Sequence, residues 1–396
     1  MLGWEKPLDA VTDGRRQGRI PTSVVMRSAA VMFLARLGSL NALEQSAPGK
    51  FWRKWLGGPM PSADTVGRVF ALAETEDIRG TTHQVYSRMK RMKALAPPPH
   101  GLMAAILDAH ESHATYRRCC SGCLQRVMHT AHGNRIQYYH RHVTLQLLAG
   151  NLLLLLDAEP IRPGEGEVAA ARRLLDRVIA AYPRAFDVVL GDALYADGGF
   201  INHVLGKGKH VIAVLKDERR DLMADAESLF AQTPGAGIRR GNRQCVQWDM
   251  EGFGSWPRVR RPVRVVRSEE TWTVRRQLDG QPETMHSNWT WVTTLDKRRA
   301  STRTIVGLGH GRWTIENEGF NELANRLHAD HVYKHEPRAM LAFLLLAMLA
   351  ANVFLAFYRR NLKAIVRRTV SMLHVSRQIA AELYGSLPDG PARVPT

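Results

Sequence analysis

Three acidic residues far apart in the chain, Asp108, Asp192 and Glu316, stand where carboxylates can do chemistry. Asp108 closes the strand-like run Met103-Ala104-Ala105-Ile106-Leu107. Asp192 follows Val188-Val189-Leu190-Gly191, a short apolar run bounded by glycine that fits a buried strand. Glu316 falls in an early turn of the helical pattern that Gly311-Arg312-Trp313 opens. Carboxylates at strand ends offer hard oxygen ligands, and a set of them can hold a pair of magnesium or manganese ions for in-line phosphoryl chemistry. Strand-end aspartates also serve as turn caps. Asp157, at the end of Leu152–Leu156, is a rival carboxylate.

The segments around these residues, ILDAHES at Asp108, VVLGDALYADGGF at Asp192 and GRWTIENEGFNELANRLH at Glu316, occur in this order along the chain. Together they resemble the DDE transposases of bacterial insertion sequences, over roughly Ile106 to Asn352. The branch concerned has a ribonuclease-H-like core, a mixed sheet flanked by helices, interrupted by a β-rich insertion before the glutamate. The last segment is similar to its Tyr-x-x-Arg-x-x-x-Glu-x-x-x-x-x-x-Lys signature through Arg312 and Glu316, whereas the tyrosine position falls on Gly309, beside His310, and the lysine position on Leu323.

The resemblance implies a transposase in which Asp108, Asp192 and Glu316 hold two divalent ions for DNA cleavage and strand transfer. Arg312, four positions before Glu316 and so on its face of a regular helix, is then expected to meet a DNA phosphate. Asn317, Asn321 and Arg326 continue a polar side that either tracks a DNA backbone or is simply solvated. The rival readings are a structure-specific ribonuclease-H-like nuclease and an inactive, transposase-derived DNA-binding protein. The expected partners are double-stranded DNA, both element ends and target, and a second copy of the chain as a homodimer in the synaptic complex. The expected location is the bacterial cytoplasm, on the nucleoid when bound.

Composition agrees with a nucleic-acid partner. Lys+Arg number 55 against 37 Asp+Glu, a net charge of +18, and such an excess favours a polyanion through counterion release. The 396 residues suffice for two or three domains. Four cysteines, three of them within Cys119-Cys120-Ser121-Gly122-Cys123, are too few and too clustered for a secreted disulfide framework, so a reducing compartment is expected. The N-terminus contains acidic residues and no apolar core region, and does not read as a signal peptide. Leu341–Tyr358 is apolar enough to raise the question of a membrane span, but its length and Asn352 favour a buried core helix.

Cys120 and Cys123 have zinc-ligand spacing, with His110 and His113 before them and His129 and His132 after. Either histidine pair completes a tetrahedral set on paper; a turn with free thiols is the alternative. We take Cys120, Cys123, His129 and His132 as the candidate structural zinc site.

Four regions follow. Residues 1–95 are expected to be helical, with Ser23 capping a helix from Val24 to Leu37 and Ser62 capping one through Val69 and Leu72. The pair around Arg53, Lys54 and Arg68 is either a helix-turn-helix for DNA ends or a packed bundle. Ser87–Lys93 adds a basic face, and Ala96–Gly101 is a linker. Residues 102–237 form the first part of an α/β core, with strands near Ile136–Leu145, Asn151–Leu156 and His210–Leu215 and a crossover helix over Glu165–Ala181. Residues 238–295, with Trp248, Trp256, Trp272, Trp289 and Trp291, form the β-rich insertion. These tryptophans are read mainly as core, with one near Arg275 or Arg276 able to stack on a base. Residues 296–387 hold the rest of the core and the C-terminal helices.

Overall fold

The computed structural model describes residues 2–47, 50–56, 58–150, 152–216 and 220–385. Its elements run α1 (Glu5–Asp9), α2 (Thr22–Leu34), α3 (Leu40–Gln45), α4 (Lys50–Leu56), α5 (Ala63–Leu72), α6 (Thr75–Arg91), β1 (Ala104–Thr115), β2 (Leu124–Thr130), β3 (Gly133–Ala149), β4 (Leu152–Pro160) and α7 (Glu167–Ala181). They continue with β5 (Val188–Gly191), α8 (Gly198–Gly206), β6 (His210–Val214), α9 (Arg220–Ala231), β7 (Ala236–Arg240), β8 (Arg243–Phe253), β9 (Val263–Arg275), β10 (Pro282–Thr293), α10 (Thr302–Gly311), α11 (Pro337–Arg360), α12 (Ala364–Thr369) and α13 (Met372–Gly385). The class is the α/β one expected, a large mixed sheet flanked by helices. The chain divides into two compact units, Met1–Ala96 with Ala109–Leu174 and Glu316–Thr396, and Pro97–Asp108 with Leu175–Ile315.

The first unit is built on α11. Glu336 caps this helix, accepting the Ala339 N–H at 2.8 Å, and Pro337 follows in the first turn, where its missing N–H costs nothing. α11 is long and apolar enough to cross a membrane, yet most of it is buried against β4, α2, α5 and α6. Phe343 stacks on Phe70 of α5 with ring centroids 3.9 Å apart. Asn352, the polar residue in this apolar stretch, takes the Leu155 N–H at 2.9 Å and donates to the Leu155 carbonyl at 2.7 Å. That position adjoins the register shift where β3 passes from Leu145 to Gln146 against β4, so the side-chain amide satisfies backbone that the irregular ladder leaves over.

Ser62 caps α5 as expected, accepting from Thr65 N at 3.3 Å. Ser23 does not cap α2: the helix begins at Thr22, two residues earlier than expected, behind Pro21, whose fixed φ starts it without a side-chain bond. The side chains of Arg53 and Lys54 lie outside the described residues. β3 and β4 form the expected hairpin, with Gly150 at φ +61 in its turn, a backbone state that L side chains resist. β2, which hydrophobic patterning did not reveal, pairs antiparallel with β3 from Leu124↔Tyr139 to Thr130↔Gly133.

The second unit is one sheet in the order β1-β5-β6-β10-β9-β8-β7. β1, β5 and β6 are parallel, and the short, wholly buried β5 and β6, with Ala104–Leu107 of β1, are what strands covered on both faces require. The β-rich insertion forms as expected but is no separate layer, since β10 pairs antiparallel with β6 through Trp291↔Val214 and Thr293↔Ile212. α10 packs on β6, β9 and β10.

Two expectations change. β1 does not end at Asp108 but continues to Thr115; from Ala109 on its residues are polar or half-buried, so no apolar alternation announced the extension. Nor does one long helix open at Gly311. α10 ends there, and after a turn the chain enters two π-helical stretches, Ile315–Phe320 and Glu322–Arg326, shown by the Leu327 N–H reaching the Glu322 carbonyl at 2.9 Å, five residues back.

Candidate active site

β1 and β5 are paired in register from Ala104↔Val188 to Ile106↔Leu190, so two residues further along each chain Asp108 comes opposite Asp192. Neighbouring strands lie about 4.8 Å apart, which sets these two carboxylate-bearing positions side by side. Asp192 leaves the sheet directly after β5 and caps the short 3₁₀ turn Ala193–Tyr195, its Oδ1 accepting the Leu194 N–H at 2.9 Å. Capping engages one of its two oxygens, so the turn-cap role and a ligand role are compatible. Gly191 is needed before it, because a Cβ there would sit 2.7 Å from the Tyr195 ring. The glycine lets the chain fold tightly enough to present Asp192 at the rim.

Asp108 meets the C-terminus of α10. Arg312, the residue that closes this helix, puts Nη1 3.3 Å from Asp108 Oδ2, and its side chain is only 8% exposed. Arg312, expected to meet a DNA phosphate, is buried and turned onto Asp108, its guanidinium lying 4.9 Å from the centre of the Trp313 ring. A cation here also suits the negative end of the helix.

The signature's tyrosine position, Gly309, faces Trp291. A Cβ on Gly309 would come within 2.4 Å of the buried indole, so no larger residue fits. The neighbouring His310 donates from Nε2 to Glu270 Oε1 at 2.6 Å, and Arg243 donates to Glu270 Oε2 at 2.7 Å. Burial pushes the Glu270 carboxyl up, but the hydrogen bonds from Arg243 and His310 prevail and hold it below the usual range. Arg243 also covers Trp272 at 3.9 Å.

Glu316 is half-buried in the first π-helical stretch and begins the next segment of the first unit. In the same unit Asn317 and Arg326 are exposed, and Asn321 accepts from Asn325 at 2.7 Å while Arg326 pairs with Glu322 at 3.0 Å. Asn317, Asn321 and Arg326 share the wall of a cavity of about 240 Å³ with Gln146 and Arg359. Leu323, at the signature's lysine position, is buried. The rival Asp157 is buried and paired with Arg79 at 2.8 Å, a structural carboxylate.

The cysteine cluster assembles, though with other histidines. The ligand atoms of Cys120, Cys123, His140 and His335 all lie within 4.8 Å of one another. His129 is instead exposed and hydrogen-bonded to Asn134 at 2.7 Å, and His132 is exposed in the β2–β3 turn. Both belong to a hairpin end whose register carries them away from the Cys120–Cys123 turn. His110 stacks on Phe320 with ring centroids 4.8 Å apart, and His113 lies edge-on to His335 without joining the set. Burial, with His335 and His113 nearby, pushes His140 down to about 4, so its imidazole is neutral at ordinary pH. No sequence spacing pointed to His335, which lies 212 residues beyond Cys123.

Comparison with known proteins places residues 103–353 within a family model described as the transposase DDE domain. No curated protein matches the chain.

Proposed function

The chain belongs to the transposase DDE domain family, and on that premise we propose that it cleaves the ends of an insertion sequence and joins them to target DNA. The observation that carries this reading is the register of β1 against β5, which brings Asp108 on β1 beside the end of β5, where Asp192 follows. Glu316, four residues along the chain from the Arg312 that holds Asp108, is the third carboxylate we assign. The donor set fits a hard divalent ion, since carboxylate oxygens suit Mg2+ or Mn2+ and no thiol or imidazole is among them. When bound, two such ions supply Lewis-acid activation of the attacking hydroxyl and stabilisation of the leaving oxygen.

The chain's own residues do the positioning. Arg312 fixes the Asp108 carboxylate and the end of α10 together. Exposed Asn317 and Arg326, with Asn321, contact the DNA backbone, and the surplus of cationic residues supplies sequence-independent affinity. In this reading the helices of residues 1–95 engage the element ends, two copies of the chain pair in the synaptic complex, and the protein works on the nucleoid of a bacterial cytoplasm.

The test uses the full chain and duplexes carrying the inverted repeats that flank its coding region, with Mg2+ or Mn2+. Asp108→Ala, Asp192→Ala and Glu316→Ala are each expected to abolish cleavage and joining while binding to the ends persists. A variant that still cuts overturns the assignment at its position. Cleavage without joining by the unaltered chain favours the nuclease reading, and binding without either reaction favours a DNA-binding remnant.

A further inference from the structure

We propose that the first unit carries a tetrahedral zinc site made by Cys120, Cys123, His140 and His335, independent of the carboxylate chemistry. The Sγ atoms of Cys120 and Cys123 are 3.6 Å apart. His140 Nε2 lies 3.3 Å from both sulfurs, and His335 Nε2 lies 3.5 Å from Cys123 Sγ. Zinc bonds of about 2.3 Å to sulfur and 2.0–2.1 Å to nitrogen make the edges of a tetrahedron about 3.8 Å between sulfurs and about 3.6 Å between sulfur and nitrogen. The four side chains are therefore spaced as if around a single centre. Thiol–imidazole hydrogen bonding alone does not explain this, because the thiol is a weak donor and both sulfurs converge on one ring nitrogen.

The local backbone supports the same reading. Between β1 and β2 the chain turns so that the Cys120 N–H donates to Cys123 Sγ at 3.3 Å, while the Cys123 N–H returns to the Cys120 carbonyl at 3.1 Å. A backbone N–H aimed at a sulfur stabilises it as thiolate, the form that binds metal. Gly122 permits the closeness: a Cβ there would lie 3.0 Å from Pro337 Cγ and 3.4 Å from the His140 ring. His140 comes from the middle of β3 and His335 from the residues just before α11, so the ligands join three parts of the fold.

Two thiolates and two imidazoles are soft to intermediate donors, which select zinc over magnesium. The ion would act as a staple, fixing the β1–β2 turn and the start of α11 to β3. Binding displaces a proton from each thiol.

The full chain, purified from zinc-supplemented culture with thiols protected, is expected to hold about one zinc per molecule by elemental analysis. Replacement with Co2+ is expected to give intense visible bands of tetrahedral cobalt and a near-ultraviolet thiolate charge-transfer band. Cys123→Ser and His335→Ala should lose the metal, His335→Cys should regain it with a shifted cobalt spectrum, and the double variant His129→Ala/His132→Ala should keep it. Absence of stoichiometric zinc, weak octahedral cobalt bands, or a Cys120–Cys123 disulfide in the protected protein would overturn the proposal. So would a soluble His335→Ala variant with the unaltered cobalt spectrum. If the ligand variants fail to fold, the cobalt spectrum of the unaltered chain decides alone.

Discussion

The end of α10 holds two carboxylates, and it holds them differently. His310 and Arg243 close on Glu270, whose side chain is 1% exposed, with contacts of 2.6 and 2.7 Å that engage both oxygens. Arg312 meets Asp108 at a looser 3.3 Å, and that side chain keeps 15% of its surface. Asp157 belongs with Glu270, since it is 4% exposed, bound by Arg79 at 2.8 Å and by its neighbour's N–H at 2.7 Å. A buried carboxylate with close cationic partners on its oxygens is committed to structure. One that lies beside a neighbouring carboxylate, keeps part of its surface and meets its arginine at a longer distance retains capacity for a ligand.

The sharpest way to break this distinction is to remove Glu270. Glu270→Ala strands His310 and the partly exposed Arg243 beside an emptied site. The expected cost is about 3 kcal/mol, the lower end for a broken buried pair because solvent still reaches Arg243. Thermal unfolding should report the loss while cleavage per folded molecule is retained. Asp108→Ala should do the reverse, with little change in melting and no cleavage. Equal behaviour of the two variants would end the contrast.

A smaller effect is expected one residue from His310. Gly309→Ala drives a methyl group into the Trp291 indole, which is 1% exposed and has no room to move away. Overpacking of this kind costs about 1–3 kcal/mol. Trp291→Phe should relieve part of that cost in the double variant, which denaturant unfolding of the four-member cycle would measure. Additive costs would mean that the contact is not what excludes a side chain at position 309. The steric limit gives a physical reason why the family's tyrosine is absent, and the buried Leu323 marks a similar change at the lysine position.

What the sequence made legible was local. β5 and Asp192 could be read because an apolar run, a glycine and a capping aspartate are all contiguous, and the insertion because β-branched and aromatic runs alternate with turn signals. The extension of β1 beyond Asp108 was hidden, since residues 109–115 carry no apolar alternation. The π-helical geometry around Glu316 was hidden too, because side-chain spacing does not distinguish a turn of 3.6 residues from a wider one. Cys120 and Cys123 announced themselves by spacing; His140 and His335 did not, because tertiary pairing rather than sequence proximity brings them to the sulfurs. Arg312 was found by its motif, but its ion pair with Asp108 was not, as only the fold shows which way the guanidinium turns.

The finest test concerns a histidine between these extremes, His210 on β6. Arg299 donates to its Nε2 at 2.6 Å, which leaves Nδ1 to carry the proton and donate to the Thr294 carbonyl at 3.2 Å. Burial and the Arg299 charge lower its pKa; Arg261 acts the same way, while the Thr294 hydrogen bond and Asp296 oppose them without prevailing. With the folded value below the ordinary one of about 6.5, the unfolded chain binds more protons once the pH drops beneath that point. This site's stabilisation is thus complete above about pH 6.5 and is lost as the pH falls toward the folded pKa. Replacing His210 by Gln, which can accept from Arg299 but does not titrate, should flatten the acid-side loss of stability by at most about 1.4 kcal/mol per pH unit. Denaturant unfolding between pH 7 and pH 5 measures it, and an unchanged slope in His210→Gln would mean that the buried neutral imidazole contributes nothing to the acid limit.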